Sequence, residues 1–289
     1  MQAFFRITIF IFFCFALSLM GTRAWAQINT PAPQSSIKAI TLAVSNLDST
    51  STFYETALQM ISHPIKSRGR DRKTPNSVKL VALNGMGSTI ILRASSTVQP
   101  NPGKLVFYSD DVATLANTIY FSGGQILLPP TPQPQFGGAL VGFARDPEGN
   151  LLEMVEVPTA NGTYLSAVGI GVSDLEQSLI FYRDILGFAV QTYLEIPGQY
   201  NEYIFFPGAE NRSALVLMHW TNGSERQYGK NPLALQVQTN ALFQPSYFFR
   251  FFRYLQHTSS RNPLSGLTDP DGMHIQLNPI KPSHTQKEY

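Results

Sequence analysis

The fold is decided by two related stretches, IKAITLAVSNL at Ile37–Leu47 and LSAVGIGVSDL at Leu165–Leu175. Each has the pattern of an apolar strand that runs into a turn of sequence Val-Ser-Asn or Val-Ser-Asp. Asn46 and Asp174 end these turns, and both residue types are preferred N-caps because their side chains accept hydrogen bonds from the first turn of a helix. The two stretches therefore predict a strand followed directly by a helix, twice in one chain.

Further pairs of motifs indicate that most of the chain is duplicated. The predicted helices carry Phe53–Tyr54 and Phe181–Tyr182 at the same offset from the strand. Near the end of each copy, Asp146–Glu153 and Asp269–Gln276 both begin with Asp-Pro and have Gly at the fourth position. This pattern is typical of a tight turn that leads into a strand. The segment 158–163, PTANGT, separates the two copies.

Each copy divides again into two units of one strand, one helix and three strands. In copy one, strand-like runs at Val78–Leu83 and Thr89–Arg93 precede a new strand at Lys104–Tyr108 and a helix at Val112–Phe121. Copy two repeats this order and has an aromatic helix within Phe243–Leu255. The sequence thus predicts an α+β fold of four βαβββ units. Because one unit cannot bury its sheet face alone, the units must pair, and the sequence leaves open which unit pairs with which.

In this order and spacing, the motifs resemble those of the vicinal oxygen chelate (VOC) superfamily, which includes glyoxalase I, bleomycin resistance proteins and extradiol dioxygenases. The resemblance covers residues 37–278, nearly all of the chain beyond its N-terminal segment. It implies two tandem VOC domains, at residues 37–157 and 164–279, followed by a C-terminal tail at 280–289. In that family two units curl their sheets into a cup, and the ligand lies inside the cup.

The resemblance also implies a divalent metal held at four positions of a cup, with open coordination sites where the substrate binds. These positions fall, in copy one and copy two, on Ala39 and Ala167, near Leu92 and Leu217, near Lys104 and Pro232, and on Glu153 and Gln276. Only the last pair offers oxygen donors suited to a metal. The sequence therefore predicts a cup in which the usual metal site is degenerate.

Small residues stand on the first strand of each copy, where the resemblance would place a metal-binding histidine. Side chains on a strand alternate between faces, so Thr41 shares a face with Ala39, and Gly169 shares one with Ala167. This arrangement leaves room for an organic ligand, and all four are candidate ligand-binding residues. The alternative is that close packing of helix against sheet requires small residues there.

Lys104 and Glu153 are two further candidate ligand-binding residues. They occupy two ligand positions of one cup if the first two units pair, so an ammonium group would replace the metal cation beside the carboxylate. A buried pair of this kind needs good geometry and further hydrogen bonds to offset the loss of hydration. It would anchor a carboxylate or enolate of the ligand, or simply hold the cup together.

A displaced metal site is a second hypothesis for copy two. His274 lies two residues before Gln276, and His219 lies two residues after Leu217, so the three polar side chains are predicted to converge one layer from the usual site. Two imidazoles and an amide oxygen would hold zinc, copper or iron weakly, or the histidines would act as acid and base. The alternative is two partly exposed histidines at the rim of the cup.

The N-terminal segment 1–26 has the features of a secretory signal peptide. Met1–Arg6 is short and basic, Ile7–Met20 is an unbroken apolar run, and a small-x-small Ala-Trp-Ala sequence follows. Cleavage after Ala26 predicts a secreted or periplasmic protein whose membrane contact is limited to the signal peptide, and the alternative is an uncleaved anchor. Cleavage would remove Cys14, the only cysteine, so the mature chain would have no thiolate for catalysis or metal binding.

The charge of the mature chain restricts its partners. Loss of the two arginines of the signal peptide leaves 19 basic and 19 acidic residues, which argues against nucleic acid as a partner. Three functions stay open: a small-molecule binding protein of the bleomycin-resistance kind, a metal-dependent lyase, isomerase or extradiol-type dioxygenase with a displaced site, and a non-catalytic interaction module. The degenerate metal positions favour the first.

Overall fold

The computed structural model describes residues 35–65, 76–134, 137–209, 211–223, 226–241, 247, 250, 253–254 and 267–279. The predicted signal peptide, the C-terminal tail and most of the aromatic segment Phe243–Leu255 lie outside these residues. Within the described ranges, no helix is both long enough and apolar enough to span a membrane.

Four successive units build the chain, which confirms the predicted α+β fold. Unit one consists of β1 (Ser35–Val44), α1 (Leu47–Ala57), β2 (Met60–Pro64), β3 (Ser77–Ala82) and β4 (Thr89–Ala94). Unit two consists of β5 (Leu105–Ser109), α2 (Val112–Phe121), β6 (Gln125–Pro132), β7 (Leu140–Arg145) and β8 (Leu151–Glu156). Unit three consists of β9 (Tyr164–Gly171), α3 (Leu175–Leu179) with a π-helical continuation (Ile180–Ile185), β10 (Val190–Ile196), β11 (Tyr200–Phe205) and β12 (Ala214–Trp220). The described strands of unit four are β13 (Ala234–Thr239), β14 (Leu267–Thr268) and β15 (His274–Pro279).

The two stretches that decide the fold form β1 and β9, and a capped helix follows each strand as predicted. The Asn46 side chain accepts a hydrogen bond from the Ser49 backbone N–H at 3.0 Å, and Asp174 accepts one from the backbone N–H of Gln177 at 2.9 Å. These caps satisfy N–H groups that the first turn of a helix cannot pair internally. The repeated residues therefore fix both strand-to-helix junctions.

The units pair crosswise between the two copies. Sheet A has the strand order β14-β15-β13-β1-β4-β3-β2, and sheet B has the order β10-β11-β12-β9-β5-β8-β7-β6. Sheet A joins units one and four through the antiparallel pair β1 and β13, and sheet B joins units two and three through the antiparallel pair β5 and β9. Each of the two contiguous domains predicted from the repeat thus contributes one unit to each sheet.

The two faces of sheet B have different surroundings. One face packs on the helices and shares the main apolar core of the molecule. The other face has its own buried apolar cluster, which includes Val106 and Ala167 on the central strands, Phe143 on β7 and Ile196 on the edge strand β10. No helix residue of the described chain belongs to this cluster. The inner-strand side chains on this face are therefore buried by side chains of the outer strands and not by a helix. We call this face of sheet B cup B.

Two hydrogen bonds between a helix and a turn tie the units of each copy together. The Tyr54 hydroxyl donates to Asp146 at 2.9 Å, and the Tyr182 hydroxyl donates to Asp269 at 3.0 Å. All four side chains are buried. These bonds link unit one to two and unit three to four, while the sheets link one to four and two to three. The Phe-Tyr and Asp-Pro motifs thus close the four units into a ring of contacts.

Removal of one of these hydroxyls is predicted to destabilise the protein. Tyr182→Phe leaves Oδ2 of the buried Asp269 carboxylate without its donor, while the backbone N–H groups of Asp271 and Met273 still bond Oδ1. We therefore expect the free energy of unfolding to fall by about 1–3 kcal/mol in chemical denaturation. Tyr203→Phe is the matched control, because its hydroxyl bonds the exposed Glu176 at 3.0 Å. That control is expected to change stability by less than about 0.5 kcal/mol. Equal losses in the two variants would contradict this account.

The buried carboxyl of Asp269 also makes stability depend on pH. Burial raises the pKa of Asp269 to about 6, although hydrogen bonds from Met273 and Tyr182 oppose that rise. A pKa above the unfolded value means that protonation favours the folded state, so this contribution is full below about pH 4 and is lost as the pH rises through about 6. Relative to Asp269→Asn, the wild-type protein should lose about 2–3 kcal/mol of stability between pH 4 and pH 7. A pH-independent difference between the two proteins would refute this assignment.

Candidate functional site

A buried group of three charged side chains lies inside cup B. Lys104 immediately precedes β5, and its Nζ lies 3.2 Å from Glu153 Oε2 on β8 and 3.2 Å from Glu202 Oε2 on β11. Lys104 is 2% exposed and both glutamates are 0% exposed. We call these three residues the ion triad. Lys104 and Glu153 lie together, although units one and two, whose pairing the prediction assumed, belong to different sheets. Both residues belong to unit two, while Glu202 comes from unit three.

The pairing of the strands explains why these residues meet. In the parallel pair of β5 and β8, Val106 lies beside Glu153, and in the antiparallel pair of β5 and β9, Val106 lies beside Ala167. Lys104 is two residues before Val106 and so has the same side-chain direction. Four of the six candidate ligand-binding residues, Lys104, Glu153, Ala167 and Gly169, are thus neighbours in sheet B.

Gly169 lies against the backbone of Lys104 instead of opening a cavity. Its N–H donates to the Lys104 carbonyl at 2.6 Å, and an added Cβ would lie 2.8 Å from the Lys104 backbone nitrogen and oxygen. Any side chain at Gly169 would force β5 and β9 apart. Close packing, the alternative explanation for the small residues, therefore applies to Gly169. The close contact is between strands β9 and β5, and not between a helix and the sheet.

The other two candidate ligand-binding residues lie in sheet A. Ala39 and Thr41 are both on β1, where they pair with Gln236 and Ala234 of β13. Each is only 2% exposed. The structure does not bring them to the ion triad, because the first strands of units one and three belong to different sheets.

The ion triad keeps Lys104 charged. Burial alone lowers the pKa of Lys104, but the carboxylates of Glu153 and Glu202 outweigh burial and hold it well above its ordinary value. Burial raises the pKa of Glu202, and Lys104 opposes that rise. Glu153 Oε1 has no hydrogen-bond donor among the described residues. A protonated amine has no lone pair, so Lys104 is a fixed cation and cannot bind a metal.

The proposed convergence of His219, His274 and Gln276 is wrong. His219 is on β12 of sheet B, and its Nδ1 lies 3.1 Å from the Val172 carbonyl oxygen. His274 and Gln276 are exposed on β15 of sheet A. These side chains do not converge because the units pair crosswise, which puts β12 and β15 in different sheets.

The fourth-strand positions assigned to Leu92 and Leu217 also need correction. Both side chains are fully buried in the main apolar core, and Leu217 lies on the face of sheet B opposite cup B. Alternation along β12 places Val216 and Met218 in cup B instead, and both are apolar. In the described part of the chain, no three His, Cys, Asp or Glu side chains are grouped so that they could hold a metal. The residues of cup B therefore do not fit the metal that the family resemblance implies.

A pocket of about 770 Å³ opens at one end of cup B. Segments 99–103 and 226–228 line it together with Arg145, Leu151 and Trp220. Its two charged lining residues in the described ranges are both arginines, Arg145 and Arg226. We call this cavity the mouth pocket.

A column of stacked side chains separates the mouth pocket from the ion triad. The guanidinium of Arg226 lies 3.7 Å from the centroid of the Trp220 ring. The Trp220 ring contacts Tyr200 edge-on at 5.3 Å between centroids, and the Nζ of Lys104 lies 5.7 Å from the centroid of the Tyr200 ring. Trp220 Nε1 also donates to the Pro102 carbonyl at 2.6 Å. A ligand in the mouth pocket would thus contact the outer end of this column while the triad stays sealed beneath it.

Four residues of this site were not predicted from the sequence: Glu202, Trp220, Arg145 and Arg226. Glu202 had a signal, because it alternates with Tyr200 and Ile204 along a strand whose other inward residues are apolar. A charge on such a face indicates a buried partner. Arg145 and Arg226 had no local signal, because the crosswise pairing of units brings them together from separate copies.

Comparison with known proteins gives the following matches. The chain matches the family model described as the Glyoxalase/Bleomycin resistance protein/Dioxygenase superfamily over residues 36–154 and 164–258. Glyoxalase I from Zea mays is 20% identical, with a TM-score of 0.61 over 84% of this chain and 92% of that one. A "putative dioxygenase" from Bacillus subtilis is 13% identical, with a TM-score of 0.58 over 86% of each chain. At such identities these structures show a common fold alone. No curated protein matches the sequence.

Loss of the buried cation is predicted to destabilise the protein strongly. Lys104→Met would leave two buried carboxylates without a counter-charge, so we expect the free energy of unfolding to fall by about 3–5 kcal/mol. Lys38→Met, at an exposed lysine of β1, is the control and should change little.

A triple variant separates charge from side-chain volume. Lys104→Met combined with Glu153→Gln and Glu202→Gln leaves no net charge in cup B, so most of the lost stability should return. A triple variant as unstable as Lys104→Met alone would indicate that packing, and not the ion triad, sets the stability of the cup.

Proposed function

The chain belongs to the glyoxalase/bleomycin resistance protein/dioxygenase superfamily, and we propose that it binds a small organic molecule at the mouth of cup B without a metal ion. The observation that carries this proposal is the ammonium group of Lys104 held between Glu153 and Glu202. Lys104 and Glu153 stand at two positions where the family resemblance implies metal ligands. The cation of this cup is therefore a part of the protein itself.

The mouth pocket is the proposed ligand site because the interior of cup B is already filled by side chains. Apolar side chains and the ion triad occupy the interior of cup B, and the open space lies in the mouth pocket. Its volume of about 770 Å³ suits a small organic molecule, since such sites commonly measure about 300–1,000 Å³. The ion triad then has a supporting role, because it fixes the strands that carry the pocket walls.

The two alternative functions have less support. The metal-dependent enzyme with a displaced site relied on His219 and His274, which lie in different sheets. The interaction module relied on the aromatic segment Phe243–Leu255, which falls mostly outside the described residues. Binding in the mouth pocket needs neither feature.

Titration of the Lys104→His variant with a metal tests whether the lysine takes the place of a metal ion in cup B. Histidine is shorter than lysine by about one metal–nitrogen bond of about 2 Å, so Lys104→His would place a metal near the present Nζ position, between Glu153 and Glu202. We expect calorimetry with Zn²⁺ to detect about one site in Lys104→His. Wild-type protein and the exposed control Lys38→His should lack that site.

The contrary result is equally specific. One zinc bound per wild-type chain, with the binding lost in Glu153→Gln, would mean that cup B is a metal site. That result would overturn the proposal that the protein works without a metal ion. Circular dichroism of each variant before titration ensures that only folded protein is compared.

We also propose that the protein is exported, on the strength of the predicted signal peptide at residues 1–26. Protein recovered from the periplasm or the medium should begin at Gln27 when its N-terminus is sequenced. Recovery only from the cytoplasm, with Met1 or Gln2 at the N-terminus, would contradict export.

A further inference from the structure

We infer that the mouth pocket selects an organic anion with a flat apolar body, such as an aromatic carboxylate, and that Arg226 and Arg145 bind its charged group. This inference rests on the proposed function, because it names the class of ligand for the same pocket. It goes further in assigning two specificity residues that come from different copies of the repeat.

The charge of the pocket supports an anion. Arg145, at the end of β7, and Arg226, in the connection between β12 and β13, face one cavity whose described lining residues include no carboxylate. Arg226 Nε is buried and has no acceptor among the described residues. Desolvation lowers the pKa of Arg226, Tyr228 opposes that shift, and the nearby cation of Arg145 lowers the pKa further. An anion bound between the two arginines would offset both the loss of hydration at Arg226 and the repulsion between the two cations.

The orientation of Arg226 favours a flat, bidentate group. Stacking on Trp220 at 3.7 Å fixes the plane of the guanidinium, and Trp220 is itself held by its bond to the Pro102 carbonyl. A planar guanidinium presents parallel N–H donors that match the two oxygens of a carboxylate. Arg145 lines the same pocket, and its Nη1 donates to the Gly149 carbonyl at 2.6 Å, which helps to hold the side chain in place.

The remaining walls favour an apolar body. Leu151, Tyr228 and the prolines of segment 99–103 border the pocket beside the two arginines. The volume of about 770 Å³ is far larger than an inorganic anion needs. An aromatic carboxylate would place its charge at the arginines and its ring against these side chains.

The wall formed by segment 99–103 is held in place before any ligand binds. The Asn101 backbone N–H donates to Asn150 Oδ1 at 2.8 Å, and its side-chain amide donates to the Gly169 carbonyl at 2.9 Å. Asn231 donates to the Gln99 carbonyl at 2.8 Å. Because the wall is already ordered, ligand binding need not pay its ordering entropy.

Calorimetric titration with a matched pair of probes tests this inference. The probes are 2-naphthoate and its neutral counterpart 2-naphthamide, which differ in charge and little in shape. We expect wild-type protein to bind the anion at least about tenfold more tightly than the amide, as a charge-assisted hydrogen bond of about 1.5–3 kcal/mol requires. Inorganic phosphate should bind more weakly than 2-naphthoate, because it lacks the apolar body.

Variants assign the preference to the two arginines. Arg226→Gln and Arg145→Gln should each weaken 2-naphthoate binding about tenfold or more and leave 2-naphthamide binding nearly unchanged. Arg226→Lys keeps the charge but loses the stacked plane, so it should give an intermediate loss. Arg93→Gln, at an exposed arginine of β4, should match the wild-type protein.

The outcomes separate this inference from the proposed function. Equal binding of the two naphthalene probes, or anion binding that is insensitive to Arg226→Gln, would overturn the anion assignment while small-molecule binding stands. Phosphate binding as tight as 2-naphthoate binding would overturn the requirement for an apolar body. Failure of both naphthalene probes to bind would overturn the ligand class, and the zinc titration of Lys104→His would still decide the metal-free character of the cup.

Discussion

A positive charge buried in the interior of a sheet is the constraint on which the rest of this structure depends. The ammonium of Lys104 has lost nearly all contact with water, and such a charge is tolerated only with close counter-charges. Glu153 and Glu202 supply them at 3.2 Å each. Because Glu153 belongs to unit two and Glu202 to unit three, the triad forms only when these two units share a sheet. The charge requirement therefore favours crosswise pairing over pairing within each copy.

The same arrangement connects the repeated motifs to the mouth pocket. Asp146 accepts hydrogen bonds from Tyr54 and from the side-chain amide of Asn150, at 2.9 and 2.7 Å. Asn150 in turn accepts from Asn101, in the wall of the pocket. The Asp-Pro turn of the repeat thus also supports the wall of the mouth pocket.

The sequence predicted the fold well and the site only in part. Strand and helix positions followed from local patterns such as the Asn46 and Asp174 caps. Lys104 and Glu153 do meet, but through adjacent strands of unit two and not through the pairing of units one and two on which the prediction depended. The pairing of units could not be predicted, since each unit exposes a similar apolar face. Because the pairing was unknown, His219 was wrongly grouped with His274, and the convergence of Arg145 and Arg226 was not predicted. Among the residues that were not predicted, only Glu202 could have been recognised from the sequence, because its charge stands on the inward face of an otherwise apolar strand.

The cation of cup B is a permanently protonated lysine. Nitrogen NMR of the lysine Nζ groups, followed from pH 7 to pH 12 and assigned with Lys104→Met, tests this claim directly. The Lys104 signal should keep the shift of a charged ammonium after exposed lysines, with ordinary pKa values of about 10.4, have lost their protons. A Lys104 signal with the shift of a neutral amine at pH 7 would contradict this claim, because a neutral amine has a lone pair and could bind a metal between the two carboxylates.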